Sequence, residues 1–184
     1  RQLAWIGFVA LGLSRLAAAG DWPQFRGPNA TGLAEASSTL PTTFSADENL
    51  KWQAKLGDGV GCPSIAAGRL FISEMTKPDE VALTALDAKS GKLLWRRTWA
   101  TGELSEVHQT NSHASTTPAA DAERVYFYFS TLGLQCVDAA TGADKWQAKL
   151  PVPYYVFKWG PGMSPIVHGD FVIFGQDDDL SPAL

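Results

Sequence analysis

Three stretches of the chain carry side chains able to do chemistry. The first is EVHQTNSHAS, which holds His108, Asn111 and His113. Two imidazoles five residues apart can ligate a metal or exchange a proton near neutral pH, and Asn111 places a donor and an acceptor between them. No third ligand stands nearby, so the stretch reads either as a ligand or partner site or as a polar loop that orders its own backbone. The second is YYVFKWGPGM, where Lys158 and Trp159 stand among Tyr154, Tyr155 and Phe157. Such a mixture lines binding surfaces, or packs over the ends of strands. The third is Asp177-Asp178-Asp179, three carboxylates that suit Ca²⁺ or, equally, a solvated loop. The candidate ligand-binding residues are therefore His108, Asn111, His113, Lys158 and Trp159. No phosphate loop, nucleophile elbow or zinc-ligand spacing is present, and no residue is assigned as catalytic or as a metal ligand. The Asn29-Ala-Thr sequon has meaning only in a eukaryotic secretory pathway.

The elements that must position these loops show themselves by repetition. ALDAKSGKLLW ends at Trp95, and CVDAATGADKW ends at Trp146. Both contain Asp-x-x-x-Gly-x-x-x-Trp: Asp87, Gly91 and Trp95, then Asp138, Gly142 and Trp146. Internal repeats decide a fold before local propensities do. Three further segments align from proline without gaps: PSIAAGRLFI from Pro63, PAADAERVYF from Pro118 and PIVHGDFVIF from Pro165. Each has a short apolar piece, a turn and an apolar run rich in aromatic and β-branched residues, the pattern of a hairpin. Hairpins are expected near residues 63–74, 117–130 and 164–175. VALTALD and LGLQCVD alternate as half-buried strands do, and the turns AKSG and AATG lead into a fourth strand whose Trp, Trp95 or Trp146, is expected to be buried at a blade interface. LKWQAKLG, around Trp52, is an additional copy of that fourth strand. The first unit has four more residues between Pro and Asp than the second, and these are expected in a loop at MTKPDE.

Units of four short strands are the blades of an all-β propeller, here about two complete antiparallel blades plus edge strands. The third unit stops at Leu184 before its Asp, so the sequence reads as an N-terminal fragment of a longer propeller whose remaining blades are partners in the same chain. If the strands of a blade are a to d, the a–b and c–d turns are tight and leave one face of the disc. The b–c and d–a connections leave the other. Residues 100–116 and 151–163 are d–a connections, and QDDDLSPA is a b–c connection, so all three chemical stretches gather on the loop face. Function in such scaffolds sits on loops that rigid strands hold.

The N-terminal RQLAWIGFVALGLSRLAAAG has a basic start, a short apolar run and an A-x-A ending. It reads as a signal peptide over residues 1–19, followed by an N-terminal extension over 20–49 and blades over 50–184. The apolar run falls short of the ~20 residues a membrane span needs, so no membrane insertion is expected after cleavage, and the expected location is secreted or periplasmic. A net charge of −4 without a basic cluster argues against nucleic acid as a partner. Cys62 and Cys136 are read as small buried residues rather than a bridge.

The repeats resemble those of pyrroloquinoline-quinone-like β-propellers, with Ala85-Leu86-Asp87, Gly91 and Trp95, then Val137-Asp138-Ala139, Thr141-Gly142 and Trp146, matching the family's ALDAxTGxxxW pattern. DWPQFRGPNATG, from Asp21 to Gly32, also resembles the opening of secreted bacterial proteins of this kind. The resemblance implies a cell-envelope repeat protein. One form is a non-catalytic scaffold that binds a protein or other envelope ligand and needs no cofactor. The alternative is a quinoprotein alcohol or sugar dehydrogenase, which would hold the quinone (PQQ) and Ca²⁺ on the propeller axis and commonly carries adjacent cysteines. Cys62 and Cys136 are not adjacent, and the scaffold is the favoured expectation.

Overall fold

The computed structural model describes residues 20–34 and 41–180. The segment read as a signal peptide, residues 1–19, lies outside the described residues, as does the end of QDDDLSPA. Among the described residues no helix is long and apolar enough to cross a membrane.

The first blade is β1 (Ser64–Ala66), β2 (Arg69–Lys77), β3 (Glu80–Asp87) and β4 (Leu93–Ala100), hydrogen-bonded in that order. The second is β5 (Ala119–Ala120), β6 (Arg124–Phe129), β7 (Gly133–Asp138) and β8 (Asp144–Ala148), again in sequence order. β9 (Ile166–His168) and β10 (Phe171–Ile173) form the a–b hairpin of a third unit. All pairings are antiparallel. The three hairpins fall where the prolines predict them, and the architecture is the partial all-β propeller expected.

Alternation along β6 shows how a blade faces two neighbours at once. Val125, Phe127 and Phe129 join Phe71, Val81, Leu83 and Val137 in one buried cluster between the blades. Trp99 of β4 lies 5.6 Å from Phe127, ring to ring. The intervening Tyr126 and Tyr128 point the other way, against Trp146 and against Phe174 of the third unit. Period-2 geometry makes this two-sided packing possible, and a one-residue slip in register would invert it. Burial of a large apolar side chain such as Phe127 or Leu83 contributes about 1.5–3 kcal/mol each. β8 is exposed along its length, and Asp144, Lys145 and Gln147 place polar groups on the outer edge, where bare apolar strands would aggregate.

Four expectations are corrected. MTKPDE is not a long loop: β2 continues to Lys77 and β3 starts at Glu80, so the four additional residues lengthen the ladder, with a bulge between Met75 and Lys77. LKWQAKLG forms no strand among the described residues, because no c strand lies beside it to supply ladder bonds. Cys62 is exposed rather than buried; Cys136 is buried, both thiols are free, and burial pushes the Cys136 thiol up to about 11. Trp146 stacks on Tyr126 at 5.9 Å but stays 42% exposed, since the turn that would cover its other face is not among the described residues.

Candidate functional site

On the turn face the repeat residues make one contact twice. Asp87 Oδ1 accepts hydrogen bonds from the Ser90 amide (2.8 Å) and hydroxyl (2.6 Å), and Gly91 takes φ 70°. Asp138 Oδ1 accepts three, from the amides of Ala140 and Thr141 and the Thr141 hydroxyl, all at 3.0 Å, and Gly142 takes φ 73°. Contacts with Lys145 and Thr141 hold the Asp138 carboxyl down at about 2. Trp52 and Trp95 then each lie on the glycine of the unit that follows. A Cβ on Gly91 would stand 2.4 Å from the Trp52 ring, and one on Gly142 would stand 2.7 Å from Trp95. Trp52 Nε1 donates to the Ala88 carbonyl (3.2 Å) and Trp95 Nε1 to the Ala139 carbonyl (3.1 Å). Trp52 makes this contact although its segment is not a strand. Arg97 adds a 2.6 Å ion pair from β4 to Asp144 of β8. On this face the aspartates order their own turns, and the Trp rings and Arg97 join one unit to the next.

On the loop face, residues 101–116 and 151–163 pack against each other. The His108 amide donates to the Lys158 carbonyl at 2.6 Å. Asn111 Nδ2 donates to the Trp159 carbonyl (2.6 Å) and to that of Pro161 (3.4 Å), while Asn111 Oδ1 accepts the Ser112 amide (2.8 Å). The His108 ring lies 5.0 Å from the Trp159 ring, and Lys158 pairs with Glu106. That pairing lowers the Glu106 carboxyl and raises the Lys158 ammonium relative to their ordinary values. Gly160 is required here: at φ 77° a Cβ would meet Val107 Cγ1 at 2.8 Å.

The structure thus gathers His108, Asn111, Lys158 and Trp159 into one loop–loop junction. His108 Nδ1 lies 2.8 Å from the Thr110 hydroxyl, so this nitrogen is already occupied. His113 instead lines a small cavity of about 20 Å³ between the two loops, with Val107, Thr131, Tyr155 and Gly160. Burial there lowers the His113 imidazole below its ordinary value, against the opposing charge of Asp58. The hydroxyls of Thr131 and Tyr155 are buried without a hydrogen-bond partner, and both residues line this cavity. Its volume suits one water molecule.

The aspartate run serves the same junction. The Val156 amide donates to Asp179 Oδ2 (2.7 Å), the Leu180 amide to Asp178 Oδ1 (2.8 Å) and the Asp179 amide to the Tyr154 carbonyl (3.1 Å). Among the described residues no three His, Cys, Asp or Glu side chains come together as a metal-ligand set.

Apolar side chains cap the junction and point outward. Phe157 is 72% exposed and Trp159 58%, with Val152, Tyr154 and Val156 also exposed. Lys158, between them, holds a left-handed φ of 57°, a conformation rare in non-glycine residues, and its amide donates to the Tyr155 carbonyl (3.0 Å). Beside this surface runs a groove of about 200 Å³ lined by Ser105, Glu106, Tyr154, Tyr155, Val156 and Lys158.

Two supporting features leave little mark in the sequence. Glu74, buried in β2, is bound by Arg96 (2.9 Å), by the Thr84 hydroxyl (2.5 Å) and by the Gly57 amide. A Glu, a Thr and an Arg on one face of strands b, c and d are its only trace. Gly57-Asp-Gly-Val-Gly61 is wedged between β2 and residues 112–116: a Cβ on Gly57 would stand 2.0 Å from the Met75 carbonyl oxygen, and one on Gly61 2.6 Å from that of Thr116. Asp58 there accepts the Ser112 hydroxyl at 2.6 Å. The glycine spacing was the available signal.

Four-stranded blades joined by Trp-on-Gly contacts define a β-propeller of pyrroloquinoline-quinone-like repeats. The family described as outer membrane protein assembly factor BamB matches residues 36–181, and the chain belongs to that family. Among solved structures, a quinohemoprotein alcohol dehydrogenase from Comamonas testosteroni is 20% identical with a TM-score of 0.53, covering 88% of this chain and 24% of its own. BamB from Moraxella catarrhalis is 18% identical with a TM-score of 0.42, covering 63% of this chain and 30% of its own. The chain thus spans less than a third of the length of either structure. At such identity the likeness to the dehydrogenase shows the fold alone. No curated protein matches the chain.

Proposed function

We propose that the chain is the blade-bearing part of a secreted or periplasmic scaffold, non-catalytic, that binds a protein partner through its loop face. One observation carries this reading: the polar groups of His108, Asn111 and Lys158 hold two loops together, and the apolar groups they support, Phe157 and Trp159, face solvent. A site built for chemistry presents its polar groups to a substrate. A site built for docking presents aromatic anchors on a fixed backbone. The family's description as an assembly factor supports a protein partner at the envelope. The leader-like residues 1–19 support export.

A second reading, a quinone-dependent alcohol or sugar dehydrogenase, is favoured by the likeness in fold to the Comamonas enzyme. The two are separated by adding pyrroloquinoline quinone and Ca²⁺ to the full-length protein and following dye-linked oxidation of alcohols and sugars. The scaffold gives no quinone-dependent turnover. Turnover that needs the added quinone and disappears in Asn111→Ala or Asp178→Asn would replace the scaffold with the enzyme.

A further inference from the structure

The N-terminal extension contains a segment that none of the blade repeats accounts for. Trp22 pairs with Ile65 of β1 as an antiparallel bridge, its amide donating to the Ile65 carbonyl (2.8 Å) and its carbonyl accepting the Ile65 amide (2.7 Å). The next residue, Pro23, accepts the Ala120 amide of β5 at 2.7 Å. The side chain of the next, Gln24, is buried, and its Oε1 accepts the Val167 amide of β9 at 3.0 Å. Three consecutive residues therefore bind the a strands of three consecutive units. Those strands lie beside one another, β1 next to β5 and β5 next to β9, as the innermost strands of a propeller do.

We infer that Trp22-Pro23-Gln24 is a strap lying across the axis-facing edges of the a strands, an interaction surface whose partner is the chain's own N-terminal segment. An innermost strand has a ladder neighbour on one side only, so its other edge carries backbone groups that need partners. An extended segment satisfies them by strand addition, with main-chain hydrogen bonds giving the attachment. The residue types suit each contact. Trp22 offers both main-chain groups. Pro23 lacks an amide hydrogen and contributes only its carbonyl. Gln24 reaches the third unit, which the backbone does not, with a side-chain oxygen.

Both ends of the strap are anchored. Before it, Asp21 Oδ1 accepts the Ala67 amide in the a–b turn at 3.1 Å. After it, the Trp22 ring folds back onto Gly27 (φ 68°), where a Cβ would stand 2.5 Å from the ring. This repeats, within seven residues, the Trp-on-Gly packing that joins the blades. The Asp21 contact places the strap on the turn side of the axis. A ligand on the axis then reaches the inner strands of these units from the loop face, the face that carries the exposed aromatics.

The test is hydrogen exchange on the full-length protein, read at the amides of Ile65, Ala120 and Val167, with Leu83 and Phe127 as core references. Trp22→Ala is expected to speed exchange at all three strap-bound amides at least tenfold and leave the references unchanged. Gln24→Ala is expected to speed Val167 alone. Unchanged protection of the three amides in Trp22→Ala would overturn the strap. So would acceleration of Leu83 and Phe127 in step with them, because the segment would then be an inseparable part of the core. If Gln24→Ala exposed Ile65 as much as Val167, the assignment of one residue to each unit would fall.

Discussion

On the turn face, Trp52 meets Gly91 and Trp95 meets Gly142 in the same way, down to the indole hydrogen bond onto the residue after the aspartate. On the loop face no two connections are alike. The b–c turn of the first blade holds two residues between β2 and β3, and that of the second holds three between β6 and β7. The 101–116 loop is tied by side chains of Asn111 and Ser115, whereas the 151–163 loop offers main-chain carbonyls in return. Contacts that join blades must recur, because each blade faces the same neighbour geometry. Contacts that shape a binding surface are under no such constraint, and that is where the chain departs from its own repeat.

This contrast can be broken from the turn face first. Trp95→Ala should lower stability by about 3 kcal/mol, the usual scale for losing a packed Trp, as a fall in the urea midpoint of the full-length protein. Gly142→Ala is expected to cost about 2 kcal/mol, since a left-handed φ penalises any Cβ and this one meets the Trp95 ring. Changes below about 0.5 kcal/mol in both would show that the repeated contact does not join the blades.

On the loop face the expected effects on stability are smaller and local. Asn111→Ala removes donors to two carbonyls of the other loop and should cost about 1–2 kcal/mol, with faster proteolytic cleavage within 151–163. If cleavage shifted to β2 or β6 instead, the junction would not be a separate unit. Phe157→Ala with Trp159→Ala should lower stability in urea by less than about 0.5 kcal/mol, because both rings are mostly exposed. The smallest effect is on pH dependence. Burial depresses the His113 imidazole, so the unfolded chain binds the proton more readily than the folded one. Stability is then complete above the ordinary histidine value of about 6.5 and declines as pH falls toward the folded one. His113→Gln should flatten that decline, and an unchanged profile would place the acid sensitivity elsewhere.

The repeats were legible because turn and packing geometry demand particular residues: Asp for the local hydrogen bonds, Gly for positive φ, Trp for the blade contact. The hairpins followed from the prolines and the alternation of RVYFYF. The gathering of the chemical stretches on one face followed from strand order. What those residues do there was not legible. Asn111 and Trp159 are 48 positions apart, and a contact between two irregular loops leaves no period to read. Trp52 misled for a related reason. The sequence of a d strand was present, but a strand also needs a neighbour, and its Trp kept its contact without one. Trp22 to Gln24 resembled a family opening, yet nothing in their types announced three separate hydrogen-bond partners.

The claim that the loop face, and not the repeated face, meets a partner is tested most directly by site-specific photocrosslinking. A photoreactive residue replaces Phe157 on the loop face or Lys89 on the turn face of the full-length protein in its native cell. The account predicts a discrete crosslinked protein adduct from position 157, and none from position 89. An adduct from position 89 with none from 157 would contradict it.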